Sequence, residues 1–61
     1  VDYAFLSLEP FEYTDSQVTF SGVAAAIRVR GDRVTLTLGA SGRIQYRDHE
    51  LISDRAASKA F

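Results

Sequence analysis

The sequence predicts an all-β unit: an antiparallel meander of about five strands, equivalent to half of a β-sandwich or to a small SH3-like barrel. Three observations carry that prediction. Apolar and polar residues alternate with a period of two through the middle of the chain. Turn chemistry interrupts the alternation at Gly31–Asp32. Seven aromatics (three Tyr, four Phe) in 61 residues suit strands better than helices.

The elements follow in order. Tyr3 to Leu8 is apolar on both faces and stops before Glu9-Pro10, which predicts a first strand buried on both sides or covered by a partner. Phe11 and Tyr13 alternate with Glu12 and Thr14, and Val18 and Phe20 with Gln17 and Thr19. A turn at Asp15–Ser16 would pair Tyr13 with Val18 and Phe11 with Phe20. Between Phe20 and Val23 the apolar parity changes from even to odd positions. Ser21–Gly22 is therefore expected to bulge or bend, as strands do when they cross between sheets.

The centre is the most constrained. Ala25, Ile27 and Val29 alternate with Ala26, Arg28 and Arg30, and Val34, Leu36 and Leu38 with Arg33, Thr35 and Thr37. Gly31–Asp32 fits a two-residue II′ turn, which pairs Arg30 with Arg33, Val29 with Val34, Ile27 with Leu36 and Ala25 with Leu38. Every apolar residue then shares one face, and a slip of one residue would destroy the agreement. Ala40-Ser41-Gly42 is expected to be a three-residue loop with Gly42 left-handed, setting Leu38 against Ile44 and Leu36 against Tyr46. The strand from Arg43 to Arg47 loses its alternation in Asp48-His49-Glu50, expected as a solvated turn. Ser53 or Asp54 can cap a short C-terminal helix carrying Ala56, Ala57, Ala60 and Phe61 on one stripe. No internal repeat is visible.

Composition bounds the function. One domain, residues 1–61, is the most that this length holds, near the size at which one core barely suffices. Cysteine is absent, which excludes disulfides, thiolate zinc sites and cysteine nucleophiles and leaves the compartment open. One histidine supplies little for a metal site. A formal net charge of −1 removes the broad attraction on which nonspecific nucleic-acid or anionic-membrane binding depends. Neither a nucleic acid nor a membrane is an expected partner, and no apolar run approaches the roughly 20 residues of a bilayer span. The apolar ends, Val1 and Phe61, suggest a processed or excised part of a larger protein. The expected partner is therefore another domain or chain of that protein, or a homo-oligomer.

Candidate chemistry is sparse. Arg30-Gly31-Asp32 spells the tripeptide that integrins recognise, but Gly-Asp is already required by the turn. Asp48-His49-Glu50 gathers the histidine with two carboxylates, yet consecutive strand residues face opposite ways and cannot converge on one ion. No catalytic constellation, metal cluster or cofactor-cradling loop is found. The arginines offer more. The hairpin register puts Arg28, Arg30 and Arg33 on one polar face, with Arg47 expected near Thr35. Such a cluster suits carboxylates or sulfates of an acidic polymer, or an acidic protein surface. The aromatics Tyr3, Phe5, Phe11, Tyr13, Phe20 and Tyr46 are candidates for a sugar-stacking platform, but with no Trp and clean inward alternation most are better explained as core.

Residues Gly31 to Asp54, GDRVTLTLGASGRIQYRDHELISD, resemble the β-strand repeats of accessory sandwich domains in bacterial polysaccharide lyases and related secreted carbohydrate enzymes. The resemblance implies a noncatalytic sheet packed beside a catalytic domain whose substrate is an acidic glycan. The catalytic Tyr, His, Arg or Asn of such enzymes have no matching motif here. Two functions are thus expected in turn: a noncatalytic structural β module of a larger protein, or a free-standing binding module that uses its arginine face.

Overall fold

Alternation on both sides of a two-residue turn dictates one antiparallel ladder, and the rest of the chain is arranged around it. A computed structural model describes residues 1–61 as eight strands with no helix. They are β1 (Asp2–Phe5), β2 (Phe11–Thr14), β3 (Val18–Gly22), β4 (Ala25–Arg30), β5 (Arg33–Leu38), β6 (Gly42–Tyr46), β7 (His49–Ser53) and β8 (Ala57–Ala60). Two four-stranded antiparallel sheets result, ordered β1-β4-β5-β8 and β2-β3-β6-β7. They pack face to face as a complete sandwich rather than half of one, and no closed barrel forms. The all-β antiparallel expectation holds, with eight strands in place of five.

The central hairpin pairs as the sequence requires, from Arg30 opposite Arg33 to Ala25 opposite Leu38. Gly31 sits at φ +63° while Asp32 does not enter positive φ, as a II′ turn demands. Upstream, the turn falls one residue later than expected. Asp15 N–H donates to the Val18 carbonyl at 2.8 Å, so Ser16 and Gln17 form the turn. Its carboxylate Oδ1 accepts from the N–H groups of Gln17 and Val18 at 2.7 and 2.8 Å. Tyr13 consequently faces Phe20, and Phe11 faces Gly22. The two-residue change of register keeps the same side chains inward.

Four expectations are overturned by long-range pairing. Ala40–Gly42 does not join paired strands: β5 pairs with β4 and β8, and β6 with β3 and β7. This segment crosses between sheets, and Gly42 is not left-handed. The apolar residues of β5 and β6 still meet, but across the core. Asp48-His49-Glu50 is not a turn as a whole, because Arg47–Asp48 turns the chain and His49 begins β7. The tail is strand rather than helix, since β5 has a second edge to fill. Val34 and Phe61 exchange reciprocal backbone hydrogen bonds there, at 3.4 and 2.8 Å. The first strand, finally, ends at Phe5 and is not buried on both faces within the chain. It is a sheet edge, with Leu6 and Leu8 exposed in the connection to the other sheet.

The parity switch at Ser21–Gly22 is a sheet crossing, with Gly22 at φ +142° and Ala24 at +48°. Beyond it β4 presents odd positions to the core where β3 presented even ones. Ile27 and Leu36 from one sheet and Phe20 and Ile44 from the other are essentially inaccessible. Phe5 stacks on Phe20 at 5.1 Å across the sheets, and Phe11 meets the same ring edge-on at 5.1 Å. Most of the six aromatics are core as expected: Phe5, Phe20 and Tyr46 are buried and Tyr3 and Phe11 pack against them, while Tyr13 is exposed.

The pairing pattern repeats although the sequence does not. In the first half, β1 pairs with β4 on one sheet while the enclosed β2–β3 hairpin lies on the other. The second half repeats this with β5 and β8 around β6–β7. The halves join through β4 with β5 and β3 with β6.

Candidate functional site

Strand alternation decides which side chains reach the outer surface of the β1-β4-β5-β8 sheet. One row across it runs Asp2, Arg28, Thr35, Ala60, and the next runs Ala4, Ala26, Thr37, Ser58. Most of these side chains are short. A shallow depression therefore opens over the middle strands, lined by Ala26, Arg28, Thr35 and Thr37. The Thr37 and Ser58 hydroxyls are 3.1 Å apart at its margin.

Arg28 borders this depression with its Nε 3.8 Å from Asp2 Oδ2, both side chains more than half exposed. That ion pair is long and solvated, so it holds the guanidinium weakly. One step toward the turn, Arg30 and Arg33 lie directly opposite each other. Neither has a carboxylate within ion-pair distance. Like charges facing across a ladder are unfavourable, and a bound anion would relieve that repulsion. Gly31 projects into open space, so the Arg30-Gly31-Asp32 tip is accessible.

Arg47 does not join this group. The expected position beside Thr35 required β5 to pair with β6, which it does not. Arg47 instead occupies the β6–β7 turn on the other sheet, at φ +55°. Its N–H donates to the Gln17 carbonyl at 3.0 Å and its Nη2 to Gln17 Oε1 at 3.1 Å. The guanidinium also lies 5.1 Å from the Tyr46 ring centre. Arg43 is occupied as well, paired with Glu50 at 2.8 Å on the outer surface of the same sheet.

The histidine has a structural setting. The His49 ring packs on Phe61 at 4.6 Å, tying the edge of one sheet to the edge of the other. Its Nε2 lies 3.6 Å from Asp48 Oδ1, and no three acidic or histidine side chains converge. Asp15 is held below the ordinary aspartate range by the Gln17 and Val18 N–H groups, with a further contribution from the Tyr13 hydroxyl. The same contact raises Tyr13, whose hydroxyl donates to Asp15 Oδ2 at 3.0 Å and faces its charge.

The hairpin register puts Arg28, Arg30, Arg33 and the Thr35 and Thr37 hydroxyls on one face, and the structure assembles them there. Ser58 joins them through β8, where local sequence points to a helix instead. No local signal marks it, because the apolar residues Ala57, Ala60 and Phe61 do not alternate with polar ones. Compared with family models, with curated proteins and with solved structures, the chain matches none.

Proposed function

We propose that this chain is a noncatalytic β module that holds the carboxylates or sulfates of an acidic glycan against Arg28, Arg30 and Arg33, as an accessory part of a larger polysaccharide-processing protein. The observation that carries the proposal is the Arg30–Arg33 pair, two facing guanidiniums without a counterion beside the depression that Arg28 borders. A guanidinium fork binds carboxylate or sulfate through two parallel hydrogen bonds. The Thr35 and Thr37 hydroxyls add donors and acceptors of the kind that sugar hydroxyls pair with.

The test is titration with a sulfated and a carboxylated oligosaccharide at low and high salt. Binding is expected to weaken as salt rises and to fall by about tenfold or more in Arg30→Ser/Arg33→Ser, from the loss of charge-assisted hydrogen bonds. Arg47→Ser, on the other sheet, should bind as the parent does. No salt-sensitive binding, or equal losses in both variants, would overturn the reading.

A further inference from the structure

The strand pairing of this sandwich is open-ended. Each sheet stops at two unpaired edges, β1 and β8 in one, β2 and β7 in the other. The free backbone groups on them follow from the ladders. Val1 and Val29 exchange hydrogen bonds, as do Val34 and Phe61. Because bonded pairs alternate along an antiparallel ladder, Asp2 and Ala4 on β1 and Ser58 and Ala60 on β8 point their N–H and C=O groups away from the sheet. By the same alternation from the Asp15–Val18 bond and the Arg47–Asp48 turn, Glu12 and Thr14 on β2 and Glu50 and Ile52 on β7 do likewise.

The junction between the two halves shows what fits these edges. There β4 meets β5 and β3 meets β6. In the repeated pairing, β8 and β7 occupy the places of β4 and β3, while β1 and β2 occupy the places of β5 and β6. We infer that a second copy of this chain adds head to tail, its β1 and β2 extending the two sheets beyond β8 and β7.

The register follows from the internal junction. Arg28 opposite Thr35 becomes Ala60 opposite Asp2 of the next copy, and Ala26 opposite Thr37 becomes Ser58 opposite Ala4 of the next copy. Both new pairs join outward-pointing backbone groups, as a bonded ladder requires. On the other sheet Thr19 opposite Gln45 becomes Glu50 opposite Thr14, and Ser21 opposite Arg43 becomes Ile52 opposite Glu12. These again are the free positions. Two edges thus match at once, in antiparallel sense and with the same side chains inward. Two positions fit less well: at the corner the Gly22–Gly42 pair is replaced by Ser53 and Phe11, so the strands must part there, and Lys59 comes opposite Tyr3 where the internal junction has Ile27 opposite Leu36.

Exposed apolar side chains are distributed accordingly. Val1, Leu6, Leu8 and Tyr13 belong to the β1–β2 end, and Ile52 and Phe61 to the β7–β8 end. No large apolar residue is exposed on β3, β4, β5 or β6. In the inferred register Val1 of one copy covers Phe61 of its neighbour, and Tyr13 lies opposite Leu51. The interface is heterologous, so addition does not close on itself.

Proline variants can cap one end at a time. Ala4→Pro removes an outward N–H from β1 and Ala60→Pro one from β8, and neither touches an internal ladder bond. Sedimentation of the full chain, at concentrations up to about 1 mM, should show mass rising past the dimer. Each variant alone should stay monomeric, and an equimolar mixture should form a heterodimer that grows no further. Amide exchange of the unaltered chain gives a second measure, with Asp2, Ala4, Ser58 and Ala60 slowing as concentration rises. A chain that is monomeric throughout, a closed dimer, or association that Ala4→Pro retains would each overturn the inference.

Discussion

Gly22 and Gly42 meet where the chain crosses between sheets, and neither position has room for a side chain. A Cβ on Gly22 would lie 2.8 Å from the Ser41 carbonyl oxygen and 2.9 Å from the Gly42 Cα. One on Gly42 would lie 2.5 Å from the Ser21 carbonyl oxygen. Since these obstacles are backbone, they cannot swing aside, and φ +142° at Gly22 adds strain of its own. Gly22→Ala should therefore destabilise the fold by about 2 kcal/mol or more, out of a total of about 3–9 kcal/mol for a chain of this size. The thermal midpoint should drop by about 10 °C, whereas Gly31→Ala, which meets no atom within 4 Å, should cost less. Equal midpoints for the two variants would contradict the packing argument. Asp15 makes a separate prediction, about acid. Its folded pKa is depressed by the Gln17 and Val18 N–H groups, so its contribution is present above the unfolded value and is lost as pH falls through the folded one. Urea midpoints should decline on acidification in the parent, and that component of the decline should be missing in Asp15→Ala. An unchanged pH profile in the variant would remove Asp15 from the account.

Individual strands were legible wherever a local turn fixed their partner. Gly31–Asp32 pins β4 to β5 within a few residues, so parity alone gave the register of both. The bend at Ser21–Gly22 was legible for a related reason, since a change of parity within one apolar run has few other causes. Pairings closed by long loops were not. Ala40–Gly42 has the composition of a hairpin loop, but it is a crossing because β8 takes the second edge of β5 while β3 and β7 take both edges of β6. The tail shows the same dependence. Ala57, Ser58, Lys59 and Ala60 lean toward helix locally, but two turns of undocked helix are marginal, and a ladder with β5 is available. Lys59 accommodates its inward position at the sheet edge by reaching out over the Phe61 ring, at 5.0 Å. Of the candidate site, the three arginines placed by the hairpin were legible, while Arg47 was misplaced because its position rested on a β5–β6 pairing that does not occur.

At the scale of the molecule, 61 residues spread over 31 × 22 × 16 Å are held mainly by contacts distant in sequence. Three local hairpins form the inner pairs, and three longer ladders close around them. Folding dominated by such non-local pairing is slow for its size, with time constants of about 1 ms to 1 s. Stopped-flow refolding at low micromolar protein should show a phase in that range, and complete recovery within the mixing dead time would contradict the nested arrangement.

That nesting also orders events during synthesis. Phe5 leaves the ribosome about 20 residues ahead of Ala25, its partner across the ladder. At translation rates of 5–20 residues per second, this first strand is without its partner for about 1–4 s. The enclosed β2–β3 hairpin can form within microseconds of emerging, long before β4 arrives to capture β1. Each nascent chain therefore displays Tyr3 and Phe5 to whatever waits at the exit tunnel, for a time set by ladder geometry rather than by the stability of the finished sandwich.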